Sequence, residues 1–565
     1  MKIKKLLVKN TIWIILVIAT ALRLWNLGGN PPHLTPDETA LGYNAYSILK
    51  TGRDEYGELL PLIFKSFGDY KPGLYIYTAV PSIAVFGLTE FATRLPSALA
   101  GILAVRLLYK VVGELLKKET ADKRRFIAIF SSLLLALNPW HIHFSRGAWE
   151  INLALTLTLA GIYFFLRARE DLKNIVYSAV FLAATLLTYQ GAKLSSLIVL
   201  LTLIVTYRKE VLIWVKKDGR KVATAALLGL VVSLPIIFSL FQGKTGRLNV
   251  FSVFSYPRPE KYLQDFLDQG NENVGTPGYY LFHSEALNFT RGIIGRWSNH
   301  YSARFLFFEG DWQNPRHSVP HQGLMLLADV IALAIGFIAL LRTKGRAKTF
   351  LLLWLFLVPL SSALSRDQVH AVRSFNMVIP LVVIAGFGLF RLKKYLESGK
   401  LAKLAGSSAL AIAYLGSLAY FLDAQFVHLP TADAKYWEYG YKQMVEAIDP
   451  IKNDYKEIKI QQSFSQPYIY FLFYGGGKGY DPAEYQKQAN LREVLAGDVG
   501  QVERLDNICF CPIDWTVNRG DTGTLFAADE IRIPPLDSQD PEAFELVSEI
   551  YYPSGDLAFR ILAVK

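Results

Sequence analysis

Five ionisable residues stand beside apolar segments in the first third of the chain, and their types suit acid–base and phosphate chemistry. Asp37 and Glu38 are neighbours just after the first apolar run, and Glu150 begins a later one. Lys71 and Arg146 bring positive charge to the same two regions. A carboxylate can act as a general base, and a lysine or arginine can hold a phosphate. Ionisable groups gathered at one edge of an apolar bundle favour a functional site.

These residues also have structural interpretations. Thr35 or Asp37 would cap a helix over residues 40–49, because carboxylates are favoured in the first turn of a helix. Lys71 precedes an apolar segment and would be a snorkelling interfacial cation. Glu150 is unremarkable as a single carboxylate at a membrane boundary. Capping and chemistry are compatible, since a capped carboxylate is also an oriented one.

Two further pairs of basic residues lie in later polar segments. His370 and Arg373 are three positions apart, where they would either start an interfacial helix or form a second phosphate clamp. Arg316 and His317 belong to the long segment 242–323 and could line the same site. The His and Asp residues show no dense metal-ligand spacing. The sequence therefore predicts no metal site and no cofactor, and it leaves a divalent metal open.

Apolar segments must position these residues. Hydrophobic residues make up 52% of the 565 residues and charged residues 19%, against about 25% charged in soluble chains. A bilayer-spanning helix needs about 20 mostly apolar residues. Eleven candidates are found, at 11–27, 92–116, 126–145, 151–168, 175–188, 194–207, 222–241, 324–341, 349–364, 375–391 and 401–421. The predicted fold class is an α-helical polytopic membrane protein with about eleven transmembrane helices.

The basic residues predict the orientation of these helices. Cytoplasmic loops concentrate Lys and Arg, and four lysines precede the first apolar run. With a cytoplasmic N-terminus, every inner loop is basic: 117–125, 167–174, 208–221, 342–348 and 391–400. Segment 74–88 is also apolar, but a crossing there would place loop 117–125 outside. It is therefore predicted to be an interfacial or re-entrant helix. The net charge of +12 is then explained by the basic cytoplasmic loops, and no nucleic-acid partner is expected.

The C-terminal quarter has a different pattern. Its apolar runs are short and strand-like, at 457–461, 507–513, 523–528, 546–552 and 557–564, with helix-like stretches such as 482–496 between them. About 140 residues suffice for one soluble domain. The chain is therefore divided into a transmembrane unit, 1–421, with long outer loops 28–91 and 242–323, and an extracytoplasmic α/β or α+β domain, 422–565.

The two cysteines, Cys509 and Cys511, are one residue apart. Two cysteines are too few for a disulfide scaffold or a cysteine-based zinc module. Neighbours this close rarely have room for a bridge. They are predicted to be unbridged strand residues that face the same way.

The order of the motifs resembles a known family. After the first apolar run come Pro36-Asp37-Glu38-Thr39, Lys71-Pro72, Thr93-Arg94-Leu95-Pro96-Ser97-Ala98, and Asn138-Pro139 followed by Ser145-Arg146 and Glu150. This order resembles the membrane-embedded GT-C glycosyltransferases of the protein O-mannosyltransferase and lipid A aminoarabinose transferase type. The resemblance covers roughly residues 10–425 and is most specific over 21–155. Three later pieces, 308–311, 316–318 and 370–374, look like a bacterial branch of that family.

The resemblance implies a sugar donor carried on a polyprenyl phosphate and a hydroxyl acceptor on the outer face. Asp37 matches the family's catalytic base, Glu38 completes the acidic pair, and Glu150 matches the second acidic position. Lys71 matches the residue that contacts the donor phosphate, with Arg146 or Arg373 as a second cation. The aminoarabinose transferases have a basic residue at the position of Ala40 and an acid at that of Tyr70. Their specificity and their zinc site are therefore not carried over.

The predicted function is an integral cell-membrane glycosyltransferase that inverts the anomeric carbon, because one base suffices for direct displacement. Its partners would be the lipid-linked donor, a glycan, lipid or protein acceptor, and membrane lipids. The alternative is a multi-span lipid or polysaccharide transporter or flippase. A transporter should show inverted repeats and midplane charges, but no repeat is visible and the charges cluster at one edge. A membrane anchor for the C-terminal domain would need only one or two spans.

Overall fold

The structure is a computed structural model that describes residues 2–242, 251–397, 399–463, 465–492, 500–537 and 540–565. Most of it is helical. In chain order the α-helices are Lys2–Leu24, Pro36–Thr51, Leu74–Phe86, Glu90–Leu115, Ala121–Leu137, Pro139–Arg146, Glu150–Arg167, Asn174–Ala184, Ala192–Thr206, Arg208–Phe241, Glu260–Gln269, Glu285–Asn299, Asp329–Leu341, Arg346–Leu357, Leu360–Ala363, Val378–Leu396, Lys400–Asp423, Leu429–Ala432, Tyr441–Ile448, Pro467–Tyr474, Pro482–Gln488 and Trp515–Asn518.

Ten short strands accompany the helices. They are β1 Ile63–Ser66, β2 Asp69–Pro72, β3 Glu457–Gln461, β4 Leu491–Arg492, β5 Gln501–Val502, β6 Arg504–Leu505, β7 Ile508–Cys511, β8 Thr524–Ala528, β9 Phe544–Tyr551 and β10 Leu557–Val564. Strands β1 and β2 form a hairpin in the first long segment between helices. Six others form one mixed sheet near the C-terminus in the order β6-β7-β3-β8-β10-β9, where β3 runs parallel to β7 and β8.

Six helical segments in the described part of the chain are long and apolar enough to cross a membrane: Glu90–Leu115, Glu150–Arg167, Arg208–Ser239, Arg346–Ala363, Phe375–Leu396 and Lys403–Ala432. A bent pair, Ala121–Leu137 and Pro139–Arg146 with 54° between them, would be a seventh. Pro139 explains the break, because it cannot donate the backbone hydrogen bond that continues a helix. The polytopic helical fold is thus confirmed at six or seven spans.

Four of the eleven predicted crossings coincide with shorter apolar helices: Thr11–Leu24, Asn174–Leu187, Ala192–Thr206 and Asp329–Leu341. At 1.5 Å per residue, helices of about 14 residues extend roughly 21 Å, less than the ~30 Å hydrocarbon core. The count of eleven therefore stays a prediction. The segment predicted to be interfacial is the helix Leu74–Phe86.

Parts of three predicted segments lie outside the described residues. These parts are 243–250 of the outer loop 242–323, residue 398 of the loop 391–400, and 493–499 of the helix-like stretch 482–496. The described part of that last stretch is helical only over Pro482–Gln488 and then joins strand β4.

The C-terminal sheet packs against the first long segment. Tyr43 of helix Pro36–Thr51 and Phe67 at the hairpin tip share a buried cluster with Tyr468, Ile469 and other residues of the C-terminal region. A Cβ at Gly42 would lie 2.6 Å from Oγ1 of Thr93, so only glycine permits this close approach. Helix Pro36–Thr51 is therefore wedged between a spanning helix and the C-terminal region. The domain boundary at residue 421 stays a prediction.

The structure corrects the prediction for the cysteines. Cys509 and Cys511 do face the same way along β7, as expected, but they are joined by a disulfide. Their Cα atoms are 5.5 Å apart, within the range of about 4.4–6.8 Å that a bridge requires. Residues i and i+2 of a strand lie on one face, so the two side chains are close enough to be joined.

Candidate active site

The first acidic pair lies at the start of helix Pro36–Thr51. Thr35 caps this helix: its Oγ1 accepts from the Glu38 amide at 3.3 Å, while Oε2 of Glu38 accepts from the Thr35 amide at 3.0 Å. This reciprocal arrangement is a capping box. Capping thus falls to Thr35 and Glu38, whereas the side chain of Asp37 is 61% exposed and pairs with Lys71.

The β1–β2 hairpin brings Lys71 to Asp37. Its two turn residues, Phe67 and Gly68, have φ of 53° and 75°, as the two-residue type I′ turn requires. The Lys71 ammonium forms an ion pair with Oδ1 of Asp37 and lies 5.0 Å from the centre of the Phe67 ring. A short turn therefore fixes the register that aligns a cation with the exposed carboxylate.

Glu150 completes this group. It is the first residue of helix Glu150–Arg167, which is tied to helix Glu90–Leu115 by a 2.7 Å hydrogen bond from Asn152 Nδ2 to the Ser97 carbonyl. Burial acts to lower the pKa of Lys71, but Asp37, then Glu150 and Asp69, raise it above its ordinary value. Lys71 is therefore a cation stabilised by the carboxylates of Asp37, Glu150 and Asp69.

Arg373 and Tyr189 lie in two other loops of the bundle. Tyr189 precedes helix Ala192–Thr206, and Arg373 precedes helix Val378–Leu396. Nη1 of Arg373 donates to Asp367 at 2.7 Å, and its guanidinium lies over the Phe251 ring, 4.7 Å from the ring centre. Burial raises the pKa of Tyr189 to about 12, with opposing and supporting contributions from Arg373, Glu150 and Asp37. Tyr189 is thus electrostatically coupled to Arg373 and to the carboxylates of Glu150 and Asp37.

Glu38 has a different environment from Asp37. Its Oε1 lies 3.0 Å from Nε of Arg94 in a buried ion pair, and it also accepts from the Ala148 amide at 2.8 Å. The same arginine donates to the carbonyls of Pro31 at 2.9 Å and His33 at 2.6 Å. We name the contacts of Glu38, Arg94 and these backbone groups the Glu38–Arg94 network. It joins the first long segment to two other parts of the bundle.

Arg146 is also buried. Its Nη1 donates to the Leu22 carbonyl at 2.9 Å, and its Nη2 donates to Trp25 at 2.7 Å and to Asn30 at 2.9 Å. These bonds satisfy carbonyls after the first helix, where no further turn can do so. The structure therefore places Arg146 as a link between two segments and does not bring its described donors to the Asp37–Lys71 pair.

Two of the remaining predicted residues, His317 and His370, meet a third that the sequence did not single out for metal binding. His317 Nδ1 lies 2.9 Å from Oδ2 of Asp311, and the His317 and His370 ring centres are 4.8 Å apart. One ligand atom from each of the three residues lies within 4.8 Å of the others, so the cluster could hold a metal ion. We call Asp311, His317 and His370 the Asp–His cluster. Arg316 instead offers its carbonyl to His143 at 2.8 Å.

Electrostatics favours ligand-like protonation states in this cluster. Burial lowers the pKa of His370 well below its ordinary value, so its ring is neutral. Burial opposes ionisation of Asp311, but hydrogen bonds, first from His317 and then from Ala371 and Asn314, lower its pKa. Metal ligation needs neutral imidazole and ionised carboxylate. The Asp311 carboxylate accepts five hydrogen bonds from the protein: one each from His317, the Ala371 amide and the Gln313 amide, and two from Asn314.

Three residues near the site were missed by the sequence analysis as site residues. Arg94 had a signal, because it lies in one of the motifs that carried the family resemblance. Tyr189 lies in a polar break between two apolar runs. Glu55 is fully buried, accepts from Asn44 Nδ2 at 3.3 Å, and has its pKa raised by burial to about 8. Its neighbours come from distant parts of the chain, so no local pattern could have revealed it.

Comparison with known proteins supports the sequence interpretation. Residues 71–238 match the family model of dolichyl-phosphate-mannose-protein mannosyltransferases. This match includes Lys71 and Glu150 and leaves Asp37 outside. The resemblance predicted from the sequence is confirmed. The enzyme class, a glycosyltransferase, is confirmed with it. None of the curated protein sequences searched matches the chain.

Two solved structures of one protein share the fold. ArnT from Cupriavidus metallidurans in the apo state aligns with a TM-score of 0.53 and 13% identity over 97% of both chains. The same protein bound to undecaprenyl phosphate aligns with a TM-score of 0.52 and 11% identity over 97% of both chains. The archaeal oligosaccharyltransferase AglB from Archaeoglobus fulgidus aligns with a TM-score of 0.49 and 12% identity, over 84% of this chain and 65% of the other.

Proposed function

We propose that this glycosyltransferase moves a sugar from a polyprenyl phosphate to a hydroxyl acceptor at the outer face of the cell membrane. The observation that carries the proposal is the exposed carboxylate of Asp37, held against Lys71 and beside Glu150 at one end of the helical bundle. A polyprenyl donor stays in the bilayer, so transfer must occur at its edge. The matched family model and the undecaprenyl phosphate bound by ArnT support a lipid-linked phosphate.

In the proposed step, Asp37 accepts the proton of the acceptor hydroxyl. The acceptor oxygen then forms a bond to the anomeric carbon while the bond from that carbon to the phosphate oxygen breaks. The polyprenyl phosphate leaves with the electron pair, and Lys71 stabilises its negative charge. A single displacement inverts the anomeric configuration, and it needs no covalent intermediate. Before this step, Lys71 exchanges the carboxylate of Asp37 for the donor phosphate.

The other site residues take supporting roles in this proposal. Arg373 is the second cation for the phosphate, and its ion pair with Asp367 fixes its guanidinium. Glu150 orients Lys71 or the acceptor. Glu38 and Arg146 are positioning residues, because their polar atoms contact buried partners within the protein. The transfer chemistry requires no cofactor in this scheme.

The proposed orientation keeps the N-terminus and the five basic loops in the cytoplasm and residues 422–565 outside. Single cysteines introduced at 117–125 and at 422–565 would test it with a membrane-impermeant thiol reagent, in a background lacking Cys509 and Cys511. We expect labelling of the C-terminal positions alone. Labelling of loop 117–125 from outside would overturn the orientation.

The function is tested with the purified protein in nanodiscs supplied with a polyprenyl-phosphate sugar. Mass spectrometry of membrane glycans, glycolipids and glycoproteins after deletion of the gene first identifies the acceptor class and the missing sugar. We then expect one polyprenyl phosphate released per sugar transferred, and a product of inverted configuration by NMR. Movement of intact donor across the bilayer without transfer would overturn the proposal, and retained configuration would overturn its mechanism.

A further inference from the structure

A second polar pocket lies next to the proposed active site. It has a volume of about 430 Å³ and is formed by helix Glu285–Asn299, the segment before it, and the loop that leads to Arg373. Its polar wall consists of Tyr256, Asn288, Arg296, Gln313, Arg366 and Asp367. Small-ligand sites usually measure about 300–1,000 Å³ and have a few converging polar groups. The pocket therefore has the size and lining of a binding site.

Arg296 has unused hydrogen-bonding capacity in this wall. Its guanidinium lies across Gly292, one helical turn earlier, where an added Cβ would be 2.7 Å from Nη1. Nη1 of Arg296 is buried and has no hydrogen-bond partner among the described residues. Buried polar atoms are nearly always paired in folded proteins. An acceptor oxygen from a ligand would satisfy this arginine.

Arg366 supplies a second guanidinium at the mouth of the pocket. Its Nη1 donates to the Tyr256 hydroxyl at 3.0 Å, and it lies over the rings of Phe251 and Tyr256. Tyr256 is 49% exposed, so the pocket opens to the surface of the protein. Arginines hold phosphate and carboxylate groups with charge-assisted hydrogen bonds. The side-chain amides of Asn288 and Gln313 offer donors and acceptors to hydroxyl groups.

The pocket is connected to the proposed active site by one carboxylate. Asp367 lines the pocket and accepts from Arg373 at 2.7 Å, and Arg373 is electrostatically coupled to Tyr189, as is Asp37. A ligand that extends from the pocket past Asp367 would bring its far end toward Asp37. The polar lining suits the saccharide part of an acceptor better than the lipid-linked donor, whose phosphate is assigned to Lys71.

We propose that this pocket binds a phosphate or carboxylate group carried by a saccharide acceptor, with Arg296 and Arg366 as the anion-binding residues. The proposal rests on the proposed function and specifies its acceptor as an acidic sugar. The hydroxyls of the same sugar would be bound by Asn288 and Gln313. The hydroxyl that receives the transferred sugar would extend beyond Asp367 toward Asp37.

Ligand-observed NMR on the purified protein in phosphatidylcholine nanodiscs tests this assignment. The probes are glucose 1-phosphate and glucuronate, with glucose as the neutral control. We expect both acidic sugars to bind and glucose not to bind. Arg296→Ala should weaken binding by roughly tenfold to a hundredfold, as loss of a charge-assisted hydrogen bond predicts. Arg291→Ala, an exposed arginine of the same helix outside the pocket lining, should leave binding unchanged.

Gly292→Ala provides a second variant that should not harm folding, because alanine is favoured over glycine within a helix. It should displace the Arg296 guanidinium and weaken acidic-sugar binding while the thermal unfolding midpoint stays the same or rises. Equal binding of glucose and acidic sugars, or unchanged binding in both Arg296→Ala and Gly292→Ala, would overturn the assignment.

The outcomes separate this proposal from the proposed function. Lys71→Ala should weaken the binding of undecaprenyl phosphate and leave glucuronate binding intact, since the two sites use different cations. Competition between undecaprenyl phosphate and glucose 1-phosphate at Arg296 would mean that the pocket belongs to the donor, and it would overturn the acceptor assignment. Sugar transfer to an uncharged acceptor at full rate would overturn it as well, without affecting the role of Asp37.

Discussion

Asp37 and Glu38 are adjacent in the chain, but the structure places them in opposite environments. The side chain of Asp37 is 61% exposed beside Lys71, whereas that of Glu38 is 4% exposed beside Arg94. Successive residues of a helix point about 100° apart, so one faces the open end of the bundle and the other faces its interior. Residue type and spacing indicate a pair of carboxylates. The rotation of the helix then gives Asp37 and Glu38 different environments, which suit the proposed chemical role of Asp37 and the structural role of Glu38.

The largest effect is expected on the transfer rate when the exposed carboxylate, Asp37, is substituted. Asp37→Asn removes the proposed base and keeps the side-chain size, so transfer should slow by about 10²–10⁴-fold. Stability should change by less than about 0.5 kcal/mol, because the side chain is exposed and Thr35 caps the helix. Single-turnover transfer and thermal unfolding measure the two quantities. A fully active Asp37→Asn enzyme would end the mechanism and make Glu150 the next candidate base.

Substitution of the buried carboxylate, Glu38, should lower stability instead of slowing transfer. Glu38→Gln leaves Arg94 without its charged partner, and breaking one member of a buried ion pair costs about 3–5 kcal/mol. The carbonyls of Pro31 and His33 still accept from Arg94, so we expect the lower end of that range. Thermal unfolding in detergent measures this loss. A normally stable Glu38→Gln variant with slow transfer would place Glu38 in the chemistry instead of the scaffold.

Substitution of Lys71 tests the function of the Asp37–Lys71 pair. Lys71→Ala should weaken donor binding by about 1.5–3 kcal/mol if a charge-assisted hydrogen bond to phosphate is lost. Lys65 is a matched control, because it lies on the other strand of the same hairpin and over the Tyr56 ring. Binding of undecaprenyl phosphate to both variants can be measured by native mass spectrometry. Equal affinity in Lys71→Ala and Lys65→Ala would remove Lys71 from the donor site.

A smaller effect is expected at Glu55, which is buried as Glu38 is but lacks a cationic partner at hydrogen-bond distance among the described residues. Its pKa rises from an ordinary value of 4.5 to about 8 through burial. The unfolded chain therefore loses this proton at lower pH than the folded chain. Stability falls as pH rises from about 4.5 to about 8, and the penalty is constant above that range.

Glu55→Gln removes this ionisation and keeps the hydrogen-bonding shape. It should stabilise the protein by roughly 1–2 kcal/mol at pH 9 and have little effect at pH 4.5. Thermal unfolding at the two pH values gives the difference. A gain that is equal at both pH values would show that folding does not raise the pKa of Glu55.

Several parts of the site could be predicted from the sequence, and the reasons differ between residues. Asp37, Lys71 and Glu150 each stand beside an apolar segment, and their shared edge follows from the order of those segments. Arg146 has the same local signal but is buried, because the carbonyls that it contacts belong to a segment 116–124 positions away.

Contacts between distant segments explain the remaining differences. The meeting of Asp311 with His370 depends on two loops separated by two apolar helices, so spacing in the chain could not indicate it. The number of spans was also harder to predict than the helices themselves, because the 13–15-residue helices have spanning composition without spanning length.

The smallest effect is expected from removing any metal from the Asp–His cluster. This experiment tests whether the cluster takes part in the transfer reaction or only stabilises the fold. Its charges resemble a metal site, yet the carboxylate of Asp311 already accepts five hydrogen bonds, including one from the Ala371 amide that joins two loops. In the proposed mechanism, Lys71 and Arg373 supply the positive charge for the leaving phosphate. We therefore expect EDTA treatment to change the transfer rate by less than about twofold, a difference of about 0.4 kcal/mol in the barrier. Loss of transfer that Zn²⁺ or Mn²⁺ restores in the parent protein, but not in His370→Ala, would assign a functional metal to this cluster.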